Sequence, residues 1–175
     1  MPLLFRREYL GERGCQVLDC YSSRSILSAM QTLKIKPIGT AHTPFTEPRD
    51  VVRARYAKGT IEINPEYAKG LKDIDGFSHL YVLWLFNKSK KDYKLQFCPF
   101  RESIPPPRGL FATRSPHRIN PIGLTIVRLI KREGNILHVK GVDMVEGTPV
   151  LDIKPYTRRD RKSSVSNGWL DEVQR

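Results

Sequence analysis

Leu124-Thr125-Ile126-Val127-Arg128-Leu129-Ile130, a turn at Glu133-Gly134-Asn135, and then Ile136-Leu137-His138-Val139-Lys140 is the stretch that decides the fold. Two runs rich in β-branched residues, joined through a glycine turn, make an antiparallel hairpin. Working outward, Gly59-Thr60-Ile61-Glu62-Ile63 alternates as a half-buried strand does. Leu80-Tyr81-Val82-Leu83-Trp84-Leu85-Phe86 is apolar on both faces, which places it as a central strand or at a subunit interface. Lys34 to Thr43, Leu95 to Phe97, Leu110 to Ala112 and Val150 to Ile153 read as further strands. Asn64-Pro65 opens one short helix, Glu66 to Leu71, with Asn64 as cap and Pro65 at the first helical position. The expectation is an all-β fold: a small antiparallel β-barrel or curled sheet with one short helix and irregular termini.

The chain has 175 residues and a net charge of +12, enough length for one core. Nine of those twelve charges fall in residues 34–156. The basic excess therefore belongs to the body of the domain, and it favours a polyanionic partner, nucleic acid ahead of a membrane surface. Three regions follow: an N-terminal extension of unassigned role (1–33), the strand-rich domain (34–156) and a basic C-terminal tail (157–175). Met30, just before the ordered pattern, reads as an alternative start. Gly168-Trp169-Leu170 marks a place where the tail docks or frays. Three cysteines at 15, 20 and 98 form no C-x-x-C pair. A disulfide framework and a metal site are thus not expected, and a reducing cytoplasm fits. No apolar run reaches the ~20 residues of a membrane span.

Two stretches are dense in chemistry. Arg114-Ser115-Pro116-His117-Arg118-Ile119-Asn120-Pro121-Ile122-Gly123 is stiffened by two prolines and crowded with donors, which suits an anion or a nucleotide. Asp143-Met144-Val145-Glu146-Gly147-Thr148-Pro149-Val150-Leu151-Asp152-Ile153-Lys154-Pro155-Tyr156 sets three carboxylates about a glycine turn whose bare backbone can approach a ligand. Neither a G-x-G-x-x-G nor a P-loop pattern is present.

Together with Pro37-Ile38-Gly39, Gly76-Phe77-Ser78-His79-Leu80 and Gly109-Leu110-Phe111-Ala112-Thr113, these stretches closely resemble the TsaA-like family, known as TrmO, over residues 34–156. The resemblance implies a β-barrel methyltransferase that works as a homodimer, with S-adenosylmethionine bound near the subunit interface. The implied reaction is methylation of the exocyclic nitrogen, N6, of threonylcarbamoyl-adenosine next to the anticodon of certain tRNAs. Carried over by position, Arg114, Leu124 and the turn Glu146, Gly147, Thr148 and Pro149 form the cofactor pocket. Asp50, Val51 and Val52 lie in the loop that closes over it, and Asn87-Lys88 stands where many relatives have His-Gln. A urea-like nitrogen must lose its proton, so Asp152 or Asp143 is the expected base. Arg118 or Lys154 is the expected partner of the threonine carboxylate, with Asn120 and Tyr156 beside it. His117 reads as a hydrogen-bonding group. Lys88, Lys90, Lys91 and Lys94 in one loop, with Arg49, Arg53 and Arg55 in another, are candidates for holding tRNA. The competing reading is a non-catalytic RNA-binding or S-adenosylmethionine-sensing barrel.

Overall fold

Along most of the barrel strands, alternate side chains are buried, the period of two that a strand with one face toward a core shows. The computed structural model describes residues 33–51, 56–89, 92–99 and 107–173. In chain order the strands are β1 (Gly39–His42), β2 (Lys58–Ile63), β3 (His79–Leu85), β4 (Gln96–Phe97), β5 (Arg108–Gly109), β6 (Ile122–Glu133), β7 (Ile136–Lys140) and β8 (Thr148–Pro155). Six of them close a barrel in the spatial order β1-β2-β7-β6-β3-β8, every pairing antiparallel, with β8 returning to β1. β4 and β5 form a separate two-stranded sheet. The all-β barrel expected from the sequence is the fold.

Several local expectations need correction. The first strand starts at Gly39 and not at Lys34, because Pro37 lacks the donor a strand would need there. Leu110–Ala112 is a 3-10 turn and not a strand, closed by the Thr113 hydroxyl on the Leu110 carbonyl at 2.8 Å. The short helix is also 3-10, spanning Pro65–Leu71, and Asn64 does not cap it. Its side-chain amide instead lies 3.5 Å from the Pro37 carbonyl. Further short helical turns occur at Pro48–Val51, Ile74–Gly76, Arg158–Asp160 and Leu170–Val173. The expected extension, apart from residue 33, lies outside the described residues, as do Met30, Val52, Arg53, Arg55, Lys90 and Lys91.

The interior is filled by Ile61, Ile63, Leu80, Val82, Trp84, Val127, Leu137, Val139 and Val150 from the strands. Val142 and Met144 from the segment after β7 complete it. Each such side chain contributes about 1.5–3 kcal/mol on burial. The 3-10 turn Pro65–Leu71 buries only Leu71, so the strands and not the turns hold the fold. β3 is central, paired with β6 on one side and β8 on the other. Its inward set is Leu80, Val82 and Trp84, while Tyr81, Leu83 and Leu85 stand half-buried on the outer wall.

Trp84 lies across from Gly123 in the β3–β6 register. A Cβ at Gly123 would come within 2.2 Å of the indole ring, so the bulk at 84 requires glycine at 123. Gly123→Ala is therefore expected to cost about 1–3 kcal/mol or more by overpacking. Thermal denaturation should show a Tm lower by several degrees; an unchanged Tm would mean that Trp84 does not fill the barrel this way.

Candidate functional site

β7 pairs with β6 only from Arg128 onward, so residues 122–127 of β6 pair with β3 alone and leave the other edge open. Two charged side chains occupy that edge. Arg114 donates from Nη2 to the Leu124 carbonyl at 3.1 Å. Asp143, three residues past the end of β7, accepts from the Thr125 hydroxyl, and the same hydroxyl oxygen accepts from the Trp84 indole N–H at 2.9 Å. Burial pushes the Asp143 carboxyl above the usual carboxylate range, opposed by the Thr125 hydrogen bond and the nearby Arg114 charge. The residue still keeps one side open to solvent.

The turn after Asp143 is fastened to the end of β1. Glu146 N–H donates to the Phe45 carbonyl at 2.6 Å and Gly147 N–H to that of Ala41 at 3.0 Å. The Glu146 carboxylate accepts from Thr43 N–H at 2.6 Å and from His42 Nδ1 at 2.8 Å. Gly147 has φ 74°, the left-handed region where glycine is favoured. A Cβ there would meet nothing within 4 Å, so the turn faces open space. Thr148 is fully buried and closes the turn with its hydroxyl on the Val145 carbonyl at 2.7 Å. Pro149 follows on β8, opposite Thr40.

Three loops meet beside this turn. Lys88 Nζ donates to the Thr46 carbonyl at 2.8 Å, and its charge helps to lower the Glu146 carboxyl. Asn87 turns back through its N–H to the Leu85 carbonyl at 2.8 Å. Ser89 Oγ lies 3.0 Å from His117 Nδ1 and donates to the Pro116 carbonyl, which ties the 87–89 loop to the one carrying Arg114. Asp50 and Val51 sit in the helical turn Pro48–Val51, with Asp50 exposed.

The expected substrate residues divide. Arg118 is turned into its own loop, with Nη1 3.0 Å from the Thr113 carbonyl and 3.5 Å from those of Leu110 and Ser115. Its guanidinium also lies 6.0 Å from the Phe111 ring centroid; here it braces the loop. Asn120 is exposed, and its carbonyl accepts from Ile122 N–H at 2.7 Å. Asp152 is across β3 from the open edge, in the transverse row Leu124–Leu83–Asp152. It is ion-paired with Lys154 at 2.5 Å and accepts from Ile153 N–H. Tyr156 packs on Tyr81, ring centroids 5.3 Å apart, just past the end of β8. The structure thus gathers Arg114, Leu124 and Asp143 on one edge and Glu146 to Pro149 with Lys88 next to it. Asp152, Lys154 and Tyr156 lie on the far side of β3.

The sequence reading passed over Thr125, Trp84, His42 and Thr43. Thr125 carried a signal, being the polar residue in the inward phase of β6, where a buried hydroxyl needs a partner. His42 and Thr43 carried none. The C-terminal tail docks: Trp169 donates from its indole to the Ala112 carbonyl at 2.8 Å, and Arg108 pairs with Glu172 at 2.9 Å. A recess of about 860 Å³ lies elsewhere, between Lys69, Lys72, Asp75 and Arg132, and holds none of the expected site residues.

The closed six-stranded barrel matches solved structures of TrmO. The crystal structure of TrmO from Pseudomonas aeruginosa matches with TM-score 0.65 and 33% identity, covering 79% of this chain and 62% of that one. The chain belongs to the family described as the tRNA-methyltransferase O N-terminal domain, matched over residues 40–160, which agrees with the resemblance seen in the motifs. A probable S-adenosyl-L-methionine-binding protein of Pyrococcus abyssi is 46% identical over 142 residues, covering 78% of this chain and 76% of that protein. A probable S-adenosyl-L-methionine-binding protein of Archaeoglobus fulgidus is 39% identical, with 82% of this chain and 40% of its own length covered. The tRNA (adenine(37)-N6)-methyltransferase of Mus musculus is 37% identical over 71% of this chain, which spans only 31% of it.

The hydrogen bond from His42 raises its pKa and lowers that of Glu146. The His42 contribution is fully present below the ordinary histidine value of about 6.5 and is lost as pH rises through the raised one; the Glu146 contribution is present above the ordinary glutamate value and lost in acid. His42→Gln should therefore lower Tm most between the ordinary glutamate and histidine values, with the difference from the parent shrinking as pH rises through the raised histidine value. A pH-independent difference would show that the pair does not hold the turn through charge.

Proposed function

We propose that this chain is an S-adenosylmethionine-dependent tRNA methyltransferase acting on N6 of the adenosine next to the anticodon, with threonylcarbamoyl-adenosine as the base it accepts. The observation that carries the reading is the open β6 edge, where a guanidinium and a raised carboxyl flank Leu124, itself 49% exposed. That donor set fits the cofactor: Arg114 suits a carboxylate, Leu124 an apolar chain or ring, and the open side of the Gly147 turn leaves room for a close ligand. S-adenosylmethionine, when bound, supplies an electrophilic methyl group.

The remaining work falls to the chain. Arg114 binds and orients the carboxylate end through charge-assisted hydrogen bonds, while its own bond to the Leu124 carbonyl fixes the guanidinium. Arg118 braces the loop that carries Arg114. Asp143 takes the proton that the urea-like nitrogen must lose. Its raised proton affinity brings it closer to the neutral range where a general base works best, and the Thr125 hydroxyl holds the carboxyl in place. Lys154 and Tyr156, the candidate partners of the substrate's carboxylate, lie across β3 from this edge, so they meet a substrate held at Asp143 only where a second copy brings them there, with exposed Asn120 beside it.

Two copies complete the site. Leu85/Ile122, Leu83/Leu124 and Tyr81/Ile126 form three adjacent cross-strand pairs on the outer wall, and Ile122, Leu124 and Ile126 are 38–49% exposed. An apolar patch of this kind beside a site is a subunit contact. The dimer operates in the cytoplasm, where the exposed Cys98 stays reduced.

Arg114→Ala should weaken S-adenosylmethionine binding about ten- to a hundred-fold by calorimetry. Asp143→Asn should cut methyl transfer to tRNA by about 10²–10⁴. Asp143→Asn should also keep or raise Tm: a carboxyl whose folded pKa is raised loses stability as pH climbs through that value, and the amide removes the loss. Undiminished transfer in the folded variant would move the base to Asp152. Cofactor and tRNA binding with no transfer in the parent would give the chain to the non-catalytic reading.

Light scattering should return a dimer mass at micromolar concentration, and Ile126→Asp should return a monomer. A monomeric parent would contradict the shared site.

A further inference from the structure

One transverse row crosses four strands on the outer wall. Lys58 of β2 stands opposite Lys140 of β7, Lys140 opposite Arg128 of β6, and Arg128 opposite His79 of β3. The row points outward, since Val127, Val139 and Leu80, next to it along the chain, are fully buried. Adjacent strands lie about 4.8 Å apart, so the backbones that carry the three permanent cations fall within about 10 Å. Like charges set directly opposite destabilise a sheet, and here two such pairs occur side by side. Among the described residues, no carboxylate is within ion-pair distance of Lys58, Lys140 or Arg128. Two acids further along the same wall are engaged elsewhere: Glu133 with Lys131 at 2.6 Å and His138 at 2.8 Å, and Glu62 with His42 at 3.4 Å. The Lys140 ammonium lies 5.4 Å from the ring centroid of Tyr56, which is 73% exposed.

Lys58, Lys140 and Arg128 belong neither to the motifs nor to the site. Scattered lysines would give solubility without stacking repulsion in register, so the row calls for a ligand that supplies several negative charges along a line. It also adjoins the site. Ile126 and Leu124 precede Arg128 on the same face of β6, about 7 and 13 Å away. We propose that Lys58, Lys140 and Arg128 form a docking rail for the RNA phosphate backbone, holding the tRNA while the target base reaches the open edge of β6. The identity of the polyanion rests on the tRNA methyltransferase reading above. A linear polyanion fits better than a flat anionic membrane, because Glu62 and Glu133, which share the row at Ile136 further along the same wall, would meet a bilayer as well.

The test compares the full-length parent with a triple variant, Lys58→Gln, Arg128→Gln and Lys140→Gln. The control, Lys69→Gln, Lys72→Gln and Lys162→Gln, makes the same change in net charge elsewhere. Electrophoretic or fluorescence titration of tRNA should show the rail variant weakened about ten- to a hundred-fold at physiological salt. The slope of log affinity against log salt should become shallower by about 2–3, three phosphate contacts at 0.7–0.9 each. S-adenosylmethionine affinity should stay unchanged, and Tm should hold or rise as the repulsion is relieved. Equal losses in rail and control variants would reduce the effect to net charge and overturn the rail. So would a parent that binds and methylates tRNA alongside a rail variant that binds it equally well, with the methyltransferase reading left standing. Loss of binding to phosphatidylcholine–phosphatidylserine vesicles with tRNA affinity intact would also overturn it, in favour of a membrane. A parent that binds no tRNA would remove both readings.

Discussion

The indole of Trp84 is the constraint on which core and site both depend. It occupies the barrel interior only because position 123 across the sheet has no side chain. Its N–H must find an acceptor there, and it finds the Thr125 hydroxyl, one more strand position in. That hydroxyl then has its own proton to give, and Asp143 receives it. A packing requirement in the core thereby fixes a carboxyl at the open edge of β6. Partial desolvation at that place raises the proton affinity of the carboxyl, although the residue keeps one side in solvent. Stability is traded for a reactive group at this one position.

The second organising feature is the fastening of loops to the start of β8. Glu146 reaches His42 and Thr43 on one side while Lys88 and Thr46 lock the adjoining loop on the other. The Ser89–His117 contact extends the chain of bonds to the loop of Arg114. The two dense sequence stretches are therefore physically joined through residues from a third and a fourth segment. A site assembled this way is held by backbone bonds and needs little from any single charged surface pair.

Much of this was legible in the sequence. The β6–β7 hairpin showed itself because its alternation runs unbroken around a glycine turn, and β3 because its apolar residues continue on both faces. The short helix at Pro65–Leu71 was legible from Asn64-Pro65, but its 3-10 winding was not, because its one buried side chain, Leu71, gives no period to follow. The motifs placed Arg114, Asp143 and the Glu146 turn in one site, and the structure puts them on adjoining elements. The His42–Glu146 bond joins residues 104 positions apart, and nothing local records it. The cationic row was equally hidden, since Lys58, Arg128 and Lys140 become neighbours only once the register of three strands is known.

The most direct test of the central claim is nucleoside mass spectrometry of tRNA carrying threonylcarbamoyl-adenosine, incubated with the purified protein and isotopically labelled S-adenosylmethionine. The account predicts a single labelled methyl group on N6 of that nucleoside, in tRNA from the anticodon loop position and not elsewhere. Labelled methyl on another base or position would contradict the assignment of the substrate. No labelled nucleoside at all, with protein that binds both components, would contradict the assignment of an enzyme.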